Sequence, residues 1–195
     1  PADQYVCASG VRINTAHASG AGRHWSGHAT PIDLFDAKAD AAAVLDSLGL
    51  DAGKAQVTRD APDYYHPGRS GVLRLGPKLV LAQFGELHPR TLAALDMAGP
   101  AVAFEVFLDT LPPEKRKSRA RPLLDENDLM ALKRDFAFVL DRDVAAADVV
   151  RAAQGADKAL IGNIEVFDLF GGGKLAEEGK KSLAIEVTLQ PTTQT

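Results

Sequence analysis

Apolar positions along this chain follow two periods. Between residues 36 and 48 they recur at helical spacing: Ala37, Ala41, Val44, Leu45 and Leu48 share one face, and Gly49 suits the position just past a helix end. Elsewhere in the first 112 residues the apolar stretches are short and bounded by turn formers. Val6–Ile13 reads as a strand. Val72–Leu75 and Leu79–Leu87 flank a Gly76-Pro77-Lys78 turn and read as a hairpin. A short helix is expected after Pro89, and a strand at Val102–Leu108. Strands outnumber helices and short turns join them, which predicts a largely antiparallel sheet with flanking helices rather than parallel βαβ units.

The pattern breaks near residues 112–128. Pro112-Pro113 opens the break; Lys115, Arg116, Lys117, Arg119 and Arg121 follow, then Pro122 and the acidic run from Asp125 to Asp128. Proline restricts its own backbone and that of its predecessor, and clustered like charges repel. This is read as a solvated linker, with a phosphate-contacting basic patch as the alternative. Beyond it the order is clearer. Asp135–Leu140 is a strand with Phe136, Phe138 and Leu140 on one face. Asp143 is expected to cap a helix from about Ala145 to Gln154, with Gly155 just past its end. Ala159–Phe170 is a second strand, and Gly171-Gly172-Gly173 opens a loop into a third at Lys181–Leu189. The order β-α-β-β falls one helix and one strand short of a ferredoxin-like β-α-β-β-α-β domain. The expectation is therefore an α+β chain of two domains, 1–112 and 128–195, joined by a linker at 113–127, with the second domain incomplete at its end.

Composition narrows the function classes. A chain of 195 residues with 46% hydrophobic and 25% charged positions is an ordinary globular sequence. Its net charge of −4 gives no bulk attraction for nucleic acid, so any RNA contact must be local, and DNA is not expected as a partner. One cysteine, Cys7, excludes an intrachain disulfide framework and fits a reducing compartment. No apolar run approaches the roughly 18–20 residues that span a bilayer. No signal peptide is recognisable, and a cytoplasmic location is expected.

Candidate chemistry concentrates in FDLFGGG, residues 167–173. Simple alternation would put Asp168 and Phe170 on one face of the strand and Phe167 and Leu169 on the other. An aromatic ring beside a carboxylate at a strand end suits an unpaired base. The ring stacks and the carboxylate accepts hydrogen bonds from base N–H groups, two of which guanine offers on its pairing edge. The alternative, which the residues alone favour, is structural: Phe170 packs under the loop and Asp168 caps the turn. The glycine-rich loop fails as a phosphate cradle, because Lys174 is followed by Leu175 rather than Ser or Thr. His24 and His28 are four apart, but Trp25, Ser26 and Gly27 between them argue against a metalloprotease helix. His66 and His88 each precede proline and are expected in turns. Ser70 lacks the G-x-S-x-G surroundings of a nucleophile elbow. No catalytic constellation emerges.

Several segments in order resemble one family: His24-Trp25, DLFDAKADAAAVLDSLG (33–49), YYHPGRSG (64–71), FGELHP (84–89), FEVFLDTL (104–111), KRDFAFVLD (133–141), FDLFGGG (167–173) and EGKKSLAIEVTLQ (178–190). Together they resemble the C-terminal region of the bacterial phenylalanyl-tRNA synthetase β subunit. The resemblance implies a first domain shaped like a class II synthetase core that has lost its ATP and phenylalanine sites. Such a domain scaffolds a heterotetramer and packs on the catalytic α subunit. It implies that the second domain is the ferredoxin-fold anticodon-binding domain. It also implies that Asp168 and Phe170 read the first anticodon base of tRNA(Phe), a guanine, with Ser182 nearby. The family often carries Tyr where Phe170 stands, so a hydroxyl is lost here. ATP and Mg²⁺ belong, on this resemblance, to the α subunit, and this chain carries no cofactor and no catalytic site. Two rival readings are a free-standing hydrolase or metal-binding enzyme built on His24, His28 and His66, and a pure protein–protein module.

Overall fold

In the computed structural model, residues 4–13, the backbone of 23–24 and 27–28, residues 31–113, residue 123 and residues 127–192 are described. The chain divides into two units, residues 1–119 and 120–195.

The first unit holds β1 (Cys7–Ile13), β2 (Arg23–His24), β3 (Gly27–His28), α1 (Leu34–Ser47), β4 (Gln56–Thr58), β5 (Tyr65–Leu75), β6 (Leu79–Leu87), α2 (Pro89–Ala94) and β7 (Ala101–Phe107). Its main sheet runs β1-β7-β6-β5-β4, antiparallel at every junction. Helix α1 begins two residues before the periodicity suggests, because Asp33 builds a capping box. Its carboxylate accepts from the Phe35 and Asp36 amides while Asp36 accepts from the Asp33 amide at 2.8 Å. The apolar face then buries Ala37, Ala41 and Leu45 against Leu73, Phe84, Val102 and Val106. Leu48, counted on that face by spacing, is largely exposed. Gly49 turns the chain out with φ of 83°. A second cluster, Tyr65, Leu87, Leu92, Ala101 and Ala103, gathers around α2.

Strand β5 begins seven residues ahead of its apolar run. The polar HPGRSG stretch is carried into the sheet by pairs Tyr65↔Leu87 and Ser70↔Gly85 on either side of an irregularity. The expected turn at His66 survives inside that irregularity, where His66 Nδ1 accepts the Gly68 amide at 3.1 Å.

The second unit comprises β8 (Leu132–Asp141), α3 (Ala146–Ala156), β9 (Ile161–Phe170), a one-turn α4 (Lys174–Glu177) and β10 (Lys180–Leu189). The strands order β8-β10-β9, antiparallel throughout. Ile164, Leu183, Ile185 and Val187 form its core, with Val149, Val150 and Ala153 of α3 packed over them. Two helix boundaries differ from expectation. Asp143 does not cap α3; Ala145 holds that position with no side-chain cap, and Lys181 instead bonds the Val144 carbonyl. Gly155 lies inside the helix, because the stop comes from Asp157, whose carboxylate accepts the Ala159 and Leu160 amides. A single helical turn, α4, occupies the loop between β9 and β10. The basic residues 115–121 of the expected linker lie outside the described residues. Asn127 and Leu129 are tied to the second unit through Pro191 and Gln190.

Candidate nucleic-acid interface

The two sides of the second unit's sheet are unequal. Leu183, Ile185 and Val187 of β10 face α3; Ser182, Ala184 and Glu186 alternate to the other side, which no helix covers among the described residues. Register transfers this division to the neighbours. Opposite Ser182, Ala184 and Glu186 stand Val139, Ala137 and Asp135 of β8, and Phe170, Asp168 and Glu165 of β9.

That register brings the three expected residues together. Phe170 is directly across from Ser182, and Asp168 stands one pair along, across from Ala184. The structural alternative for Asp168 does not apply: among the described residues no donor reaches its carboxylate, which is exposed. Phe170 does contact the loop, but only partly. A β-carbon placed on Gly172 would come within 3.1 Å of the ring's far end, so the ring lies against a backbone that only glycine leaves open. The remainder of Phe170 is free, with 55% of the residue exposed. Pinned at one edge and bare elsewhere, the ring is oriented before any ligand arrives.

The alternation expected for β9 is corrected by a β-bulge. Asp168 pairs with Ala184 but Val166 pairs with Ile185, which leaves Phe167 without a partner position. The extra residue shifts the phase, so Phe167 joins Asp168 and Phe170 on the open side instead of opposing them. It lines a cleft of about 350 Å³ with Lys133, Asp135, Glu165 and Glu186. Asp135, Glu186 and Glu165 lie directly across from one another on the three strands, a row of like charges that cross-strand pairing disfavours. Lys133 partly relieves it, bonding Glu186 at 2.6 Å; that hydrogen bond raises the Lys133 pKa and keeps the ammonium charged. Neither the bulge nor this row is visible in the strand's own sequence, because both arise only when β9 is set against β10.

The first unit offers a different picture. It holds a cleft of about 700 Å³ bounded by Asp63, Tyr64, Tyr65, His88, Arg90 and Thr91 among others. The histidines there serve the backbone: His88 Nδ1 accepts the Arg90 amide at 3.1 Å, and the His66 and His88 rings stack 6.3 Å apart. Ser70 donates to the His66 carbonyl at 2.7 Å. His24 and His28 sit in the β2–β3 ribbon, and their side chains lie outside the described residues. Among the described residues no group of His, Cys, Asp and Glu is arranged to hold a metal ion, and no helix is long and apolar enough to cross a membrane.

The family model for the phenylalanyl tRNA synthetase beta chain CLM domain matches residues 13–108, and that for the ferredoxin-fold anticodon binding domain matches residues 129–195. This chain belongs to the phenylalanyl-tRNA synthetase β-subunit family. It is 52% identical over 196 aligned residues to the phenylalanine–tRNA ligase beta subunit of Bartonella henselae, and 51% identical to those of Brucella abortus and Bradyrhizobium diazoefficiens. Each match covers 100% of this chain and 24% of the relative, so the chain spans about a quarter of the β subunits it matches. The open sheet face with Asp168, Phe170 and Ser182 therefore belongs to the ferredoxin-fold anticodon-binding part of a β subunit.

Proposed function

We propose that this chain acts as the non-catalytic C-terminal part of a phenylalanine–tRNA ligase β subunit, giving the assembly a surface for the α subunit and reading the anticodon of tRNA(Phe). The observation that carries the reading is the pairing of Phe170 with Ser182 and of Asp168 with Ala184 on an uncovered sheet face. An unstacked guanine laid on Phe170 gains the stacking worth roughly 1–3 kcal/mol per base. Asp168, one pair along, presents an unengaged carboxylate to the N–H groups of the guanine pairing edge. Ser182 lies across from the ring and supplies a hydroxyl that both donates and accepts.

The first unit is proposed as a class II synthetase-like core that works as scaffold, with domain limits near 1–112 and 128–195. ATP and Mg²⁺ then act through the α subunit. The donors of the first unit's cleft suit them poorly: among the described residues lining it Asp63 is the one carboxylate, whereas Mg²⁺ sites use carboxylates together with substrate phosphates.

The test is the affinity of the complete ligase for a tRNA(Phe) anticodon stem-loop and for one with its first anticodon base changed, at fixed salt. Discrimination between the two is expected, and Phe170→Ala and Asp168→Asn should each remove most of it. Equal binding of both RNAs by the unaltered enzyme would leave only the scaffold role.

A further inference from the structure

We infer that Phe167 is a second stacking platform, holding the base next to the one on Phe170, an inference that rests on the anticodon-reading role proposed above. The bulge in β9 is what creates it. Without the extra residue Phe167 would point to the α3 side with Val166 paired out of phase; with it, both rings rise from the open face and each is 55% exposed. The bulge thereby sets Phe167 on the same side of the strand as Asp168 and Phe170, at the edge of the cleft it shares with Lys133 and Glu186.

Spacing assigns the two rings to different bases. They stand three residue steps apart along the strand, roughly 10 Å at about 3.3 Å per step and somewhat less across the bulge. One base cannot cover both rings, whereas a single strand running along β9 would place successive bases on each, as sheet-based RNA readers do. Surroundings decide which part of the nucleotide faces inward. Asp135, Glu165 and Glu186 rim the cleft at Phe167, and only Lys133 offsets them. Those carboxylates repel phosphate and accept hydrogen bonds from base N–H groups, so the base enters and the backbone stays outside.

The experiment is a pair of double-mutant cycles on the complete ligase, reading affinity for anticodon stem-loops. One cycle combines Phe167→Ala with an abasic site at the position adjacent to the first anticodon base. The other combines Phe170→Ala with an abasic site at the first base. Each single change is expected to weaken binding about tenfold. In each cycle the double change should cost no more than either single one, because ring and base remove the same contact. Phe167→Leu keeps an apolar side chain without the stacking face and should behave like Phe167→Ala. Amino-acid-dependent ATP–pyrophosphate exchange serves as the control for intact assembly. Additive losses in the Phe167 cycle, with the Phe170 cycle non-additive, would overturn the second platform and leave the anticodon reading standing. Additivity in both cycles would overturn the two together.

Discussion

Gly172 controls how Phe170 is presented, and it does so through absence of a side chain. The ring's far end lies where a β-carbon on Gly172 would sit, at 3.1 Å, so any larger residue must push the ring or the loop aside. Gly172→Val is therefore expected to weaken stem-loop binding by the complete enzyme several-fold, with a loss of thermal stability on the order of 1 kcal/mol because the loop at half-buried Gly172 must yield at the contact. Equal affinity of the Gly172→Val and unaltered enzymes would mean that the ring's orientation is not set by the loop. Asp168 contrasts with Gly172, since its readiness lies in having no internal partner. Residue types mark Phe170 and Asp168 as candidates, because an aromatic and a carboxylate at a strand end carry recognisable chemistry, but on their own they favour packing and turn capping; the family resemblance is what turns the balance. They could not reveal Phe167 or Gly172, whose roles depend on a register slip and on a close contact.

Elements were legible where one face of a single element decides its fate. Helix α1 and strand β10 bury regular sets, Ala37, Ala41 and Leu45 in one case and Leu183, Ile185 and Val187 in the other; periodicity predicts the first set, and the span of the strand, Lys181–Leu189, is expected from the sequence. Where partner strands decide, reading failed. Strand β5 extends back through HPGRSG because β6 offers it partners, and β9 changes phase because β10 forces a bulge. The same β5 start supplies a test of the first unit's core. Tyr65 is buried at the base of the α2 cluster, and burial raises the pKa of its phenol; neighbouring Tyr64 is raised by burial and by its 2.6 Å hydrogen bond to Glu105. A raised folded-state value means that the neutral phenol is the form the fold prefers. Its contribution is whole below the ordinary tyrosine value of about 10 and is lost as pH climbs from there toward the folded value. Stability of this unit should thus fall above about pH 10, by up to about 1.4 kcal/mol per pH unit for Tyr65. Tyr65→Phe should flatten that slope in urea titrations run at successive pH values; an unchanged slope would place the alkaline sensitivity elsewhere.

At the scale of the whole molecule, charge and site pull in different directions, and this separates two components of RNA binding. The chain carries a net charge of −4, and the open face of the second unit adds the Asp135–Glu186–Glu165 row and Asp168. Phosphate contacts release counterions and make affinity fall steeply with salt, while stacking and base-edge hydrogen bonds involve no such release. In the proposed role, a face this acidic would read bases and contribute little to backbone attraction, which would come from basic groups elsewhere in the proposed assembly. The ratio of affinities for the correct and altered first anticodon base should accordingly stay constant between roughly 50 and 200 mM salt, even as each affinity falls. Stem-loop titrations across that range measure both quantities at once. A ratio that collapses with salt would mean that discrimination is relayed through phosphate positioning, and the Phe170–Asp168 surface would then be a spacer against the RNA instead of its reader.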